Sequence, residues 1–134
     1  MTQAELLIRF ILGPVRTNIR PLVYAVELAV DLLFVQKIPM DDIHVTKDIY
    51  PAVAQIHKNR FGHSPSNLAV TRQIIRTCNE CWEALVSRSL VLEYIGAPIK
   101  HIRAPSDMIF YLAFYIYLDK PFYIAVSEDP ALLF

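Results

Sequence analysis

Asn67, Arg72, Gln73 and Arg76 are the residues whose types and spacing best suit chemistry with another molecule. Arginine, asparagine and glutamine carry paired donors and acceptors that match base edges in the major groove of duplex DNA. Ahead of them stand Lys58, Arg60, Ser64 and Ser66, cations and hydroxyls suited to phosphate oxygens. From Lys47 to Arg76 the chain has five Lys or Arg against the single Asp48. The competing reading of the same residues is an ordinary solvated face on a core helix.

Other reactive groupings are weaker. Cys78-Asn79-Glu80-Cys81 has the C-x-x-C spacing of zinc and redox sites, but there is no second cysteine pair to complete a zinc set. A redox thiolate favours a helix N-terminus, and this pair falls well inside a helix, so both cysteines read as packing. His44, His57, His63 and His101 lack metal-ligand spacing, and His57 and His63 flank the expected turn. With three glycines the chain offers no Gly-rich phosphate loop, nucleophile elbow or catalytic carboxylate pair. The expectation is no enzyme, no metal, no cofactor and no small-molecule substrate.

These side chains need two helices and a turn to position them. Val45 to Leu85 reads as a helix, a turn and a longer second helix. Gly62 suits the left-handed conformation that ends a helix, Ser64 suits an N-cap, and Pro65 suits the first helical position. In the second helix Ile74, Ile75, Cys78, Trp82 and Leu85 recur at helical steps as a buried stripe, leaving Asn67, Arg72, Gln73, Arg76 and Asn79 on the other side. Pro51 predicts a break near Tyr50 in the first of the two.

Around that pair the pattern predicts helices over Gln3–Leu12, stopped by Gly13-Pro14, over Asn18–Val35, and over Ser87–Tyr94, stopped by Gly96. Pro105-Ser106-Asp107 opens a last helix through the apolar run Met108–Leu118. That run is too short to span a bilayer, and residues 1 to 12 lack a basic leader, so a cytoplasmic protein without membrane contact is expected. The 134 residues suit one domain, with a tail from about residue 119. Thirteen basic and thirteen acidic residues cancel, so any attraction for DNA must be local.

The stretch from Gly13 to Arg103 resembles the DNA-binding effector domain of the sporulation initiation response regulators, the stage-zero sporulation protein A family. The residues that carry this are Gly13-Pro14-Val15, then Val45-Thr46-Lys47-Asp48-Ile49-Tyr50-Pro51-Ala52-Val53-Ala54, then Leu68 to Arg76 leading to Trp82, then Ala104-Pro105-Ser106-Asp107-Met108-Ile109. The resemblance implies an all-α bundle of about six helices containing a helix-turn-helix, and a transcription regulator of sporulation type that binds duplex DNA. The module is expected to stand alone, without the receiver domain that the family places before it. At the family's contact positions Arg72 matches, Arg76 replaces a histidine, and Ala69, Thr71 and Ile75 depart. The family's target sequence is therefore not implied.

Two further expectations concern partners. The run Met108–Leu118 is apolar all round and needs cover, and an isologous homodimer on Phe110, Phe114 and Tyr117 would supply it while presenting two recognition helices. The alternative to DNA binding is a protein-interaction module that kept the fold and lost DNA.

Overall fold

The most apolar segment of the chain becomes its central helix. In the structure, a computed structural model that describes residues 2–62 and 66–134, Asp107–Leu118 is helical, and every residue from Asp107 to Phe114 is buried. Seven α-helices make up the bundle, and there is no strand among the described residues: α1 Gln3–Leu12, α2 Arg20–Val30, α3 Tyr50–Phe61, α4 Asn67–Ser87, α5 Val91–Ile95, α6 Asp107–Leu118 and α7 Phe122–Glu128. Helix α6 packs against α1, α2, α4, α5 and α7. Such enclosure is what an all-round apolar helix requires, each large side chain removed from water contributing about 1.5–3 kcal/mol.

The cover of α6 corrects the contact residues expected for a dimer. Phe114 is 0 % and Phe110 5 % exposed within the single chain. Phe114 meets Phe34 edge-on at 5.4 Å and Phe122 of α7 at 4.9 Å between ring centroids. The segment after residue 119 thus contributes the seventh helix, which lies against Phe114 where a second copy is expected. Tyr117 remains half exposed, stacked on Phe34 at 4.4 Å.

Local chemistry sets the boundaries. Thr2 caps α1 by accepting from the Glu5 N–H, and Gly13 ends it. Helix α2 begins at Arg20 and continues as a wider π turn through Asp31–Val35, so the helical stretch ends where the hydrophobic pattern predicts. The break near Tyr50 is also present: a π turn over Val45–Ile49 precedes α3, which opens with Pro51 in its first turn. Gly62 closes α3 at φ 76°, the left-handed conformation glycine adopts without steric cost.

The helix expected over Ser87–Tyr94 is different. Helix α4 itself extends to Ser87, Ser89 turns the chain at φ 55°, and α5 is a short Val91–Ile95 segment closed by Gly96. Gly96 sits at φ 90°, where an added Cβ would lie 2.8 Å from the Pro121 Cβ. Its lack of a side chain lets the start of α7 approach α5.

Candidate nucleic-acid interface

Helix α4 is the longest helix, and α1, α2, α3 and α6 all pack on it. Val70, Ile74, Thr77, Cys78, Cys81 and Leu85 form its buried stripe. Ser66 caps it, Oγ accepting from the Ala69 N–H at 3.1 Å. The cap is therefore two residues later than expected, and helix α4 starts at Asn67; Ser64, with His63 and Pro65, lies outside the described residues.

On the opposite side, Arg72 and Arg76 are exposed one helical turn apart, followed along the same face by Asn79 and Glu83. Neither arginine enters an ion pair among the described residues, where the only two such pairs are Arg103–Asp107 and Lys120–Glu128. Asn67 is exposed in the first turn, where no acidic residue stands. The exposed face of α4 is therefore basic in its N-terminal half and turns acidic at Glu83.

Gln73 is placed differently. Its side chain is half-buried, and Nε2 donates to the Asn18 carbonyl at 3.1 Å and to Thr77 Oγ1 at 3.3 Å. One residue earlier in that connection, the Thr17 hydroxyl donates to Glu80 Oε2 at 2.6 Å. Thr77 returns its own hydroxyl to the Gln73 carbonyl at 2.9 Å. Gln73 thus fastens the segment between α1 and α2 to α4, its amide nitrogen engaged within the chain while Arg72 and Arg76 are exposed. Asn18 and Thr17 escaped the sequence reading because nothing in their types or spacing links them to residues more than fifty positions away.

The expected phosphate contacts also separate. Lys58 is exposed, with its ammonium unpaired among the described residues. Arg60 lies over the Phe61 ring, 5.9 Å from its centroid, and lines a cleft shared with α1 and α2. His57 is half-buried with its ring 4.7 Å from that of Phe61, and its buried Nδ1 has no hydrogen-bond partner among the described residues. It is a packing residue more than a phosphate ligand.

Both cysteines are free and fully buried. Burial, reinforced by the neighbouring Glu80, pushes the Cys81 thiol up to about 12, and burial with Cys81 beside it raises Cys78 as well. Protonated, enclosed thiols inside a helix are neither nucleophiles nor ready ligands. No group of three His, Cys, Asp or Glu among the described residues is arranged to hold a metal ion. No single helix is long and apolar enough to cross a membrane; α6 and α7 reach that length only together and are bent by 67°.

A second surface is apolar. Leu6 and Phe10, each 55 % exposed on α1, rim a cleft completed by Leu7, Tyr94, Tyr115 and Ile116. Arg88, at the end of α4, holds this corner together: its guanidinium donates to the Ile11 carbonyl at 2.7 Å and lies over the Phe10 ring at 5.2 Å.

No family model, curated protein or solved structure matches this chain.

Proposed function

We propose that the protein is a duplex-DNA-binding transcription regulator that lays the N-terminal half of α4 in the major groove. The observation that carries this is the pair Arg72 and Arg76, exposed one turn apart and in no ion pair among the described residues, on a helix packed along its other side. A rigid helix offering two unpaired guanidiniums suits bidentate contacts to guanine. Asn67 and the Ser66 cap sit at the same end, where the helix dipole favours phosphate. Lys58 adds a cation from the end of α3. The resemblance to the sporulation regulators agrees in the order of the elements, and with it comes the expectation of a helix-turn-helix acting in the cytoplasm. Selection of genomic fragments on the purified protein tests the reading: a shared short sequence should be enriched, and recovery of random fragments alone would refute specific binding.

The second reading is the interaction module, favoured by the apolar cleft beside Leu6 and Phe10. That surface is also available to a homodimer, whereas Phe110 and Phe114 of α6 are covered within the chain. A Phe10→Glu variant that changes the sedimentation of the wild-type protein would assign the surface to self-association.

A further inference from the structure

A polar cleft of about 400 Å³ opens between α1, α2 and the end of α3, lined among others by Thr2, Glu5, Arg9, Arg20, Glu27 and Arg60. Three arginines and two glutamates thus share one concavity, yet among the described residues none of them is in an ion pair. The charges are arranged as like pairs. Arg20 and Arg60 both lie against Phe61, their guanidinium carbons 5.2 and 5.9 Å from its ring centroid. Glu27 is pushed towards its neutral form by partial burial and then by the charge of Glu5. Arg9 is tethered at the rim by donating to the Val15 carbonyl at 3.3 Å.

Neither like pair is neutralised by an ion pair among the described residues. A simple anion would relieve the arginines and meet two carboxylates on the same walls; a polyamine would have the opposite difficulty. Nucleic-acid phosphate is disfavoured for the same reason as other anions. A molecule carrying an ammonium at one end and a carboxylate at the other satisfies both pairs at once, and bidentate arginine–carboxylate geometry adds direction. We propose that this cleft binds a small zwitterion, an α-amino acid or short peptide, with its carboxylate on Arg20 and Arg60 and its ammonium on Glu5 and Glu27. The site is separate from the exposed face of α4 and does not depend on DNA binding.

The test uses the full chain with the common L-amino acids, glycylglycine, triglycine, the N-acetylated or C-amidated form of any that binds, and inorganic phosphate and spermidine as controls. At least one zwitterion should raise the melting temperature and shift the amide resonances of Glu5, Arg20 and Glu27. Blocking either terminus should weaken binding by about tenfold or more. Glu27→Gln and Arg20→Gln, each checked for a wild-type circular dichroism spectrum, should do the same, with Glu5→Gln standing in should one fail to fold. The series from amino acid to tripeptide distinguishes the two sources of the ligand by length. Absence of any response to these zwitterions would overturn the proposal. So would equal responses to the blocked forms, or to inorganic phosphate or spermidine alone.

Discussion

Gln73 Nε2 donates to the backbone carbonyl of Asn18 across 3.1 Å, and this contact joins the connection before α2 to the face of α4 next to the arginines. The bond divides two roles that look alike in sequence. Gln73 is bonded within the chain, whereas Arg72 and Arg76 are exposed and in no ion pair among the described residues.

Gln73→Ala should therefore lower stability by about 1 kcal/mol, the ordinary contribution of a hydrogen-bonded side chain. It should leave any sequence preference unaltered. Urea unfolding and competition between selected DNA fragments measure the two effects separately. A change in preference with stability intact would return Gln73 to the reading surface.

Phe114→Ala should cost about 3–5 kcal/mol, since the ring is fully enclosed by Phe34, Phe122 and the rest of the core. Phe114→Glu should fail to fold. Tyr117→Ala, which loses one exposed stack on Phe34, should cost only about 0.5–1.5 kcal/mol. Chemical denaturation of the three variants gives the comparison; a soluble, folded Phe114→Glu protein would revive an interface on α6.

Much of the fold is legible because glycine, proline and capping residues act locally. Gly13, Gly62 and Gly96 all take positive φ and end helices where expected. Pro51 lies just inside α3, as its fixed φ demands. The π turn before it was readable only as a break, because hydrophobic spacing does not separate a π turn from other irregularities. The turn at Ser89 carries no glycine or proline to announce it. Cover for α6 was ambiguous for a different reason: an apolar surface states that it must be buried and not by which element. Arg72 and Arg76 were legible from their angular distance to the buried stripe, whereas Gln73 depends on a long-range partner that periodicity does not reveal.

The cysteines give a pH dependence of defined sign. For Cys81 the ordinary thiol value is 9.0, and the folded chain holds it at about 12. Below pH 9 both folded and unfolded chains keep the proton, and the group adds no slope. Between pH 9 and about 12 the unfolded chain loses the proton while the folded chain retains it, so stability falls as pH rises. Cys78, raised in the same direction, steepens the fall. Cys78→Ala with Cys81→Ala should lower stability near neutrality by about 1–2 kcal/mol through lost packing and flatten the alkaline decline. Melting temperatures from pH 7 to 10 for both proteins check this; parallel curves would show that the thiols are not responsible.

The central claim is that Arg72 and Arg76 carry duplex recognition, and its most direct measure is fluorescence anisotropy with a fragment selected from genomic DNA. Wild-type protein should bind saturably, with an affinity that falls steeply as salt is raised. Replacing both arginines with alanine should weaken that binding by at least about 2 kcal/mol, roughly thirtyfold, without changing the melting temperature or helical content. Equal affinity of the two proteins, or no saturable binding by wild type even at low salt, would contradict the account.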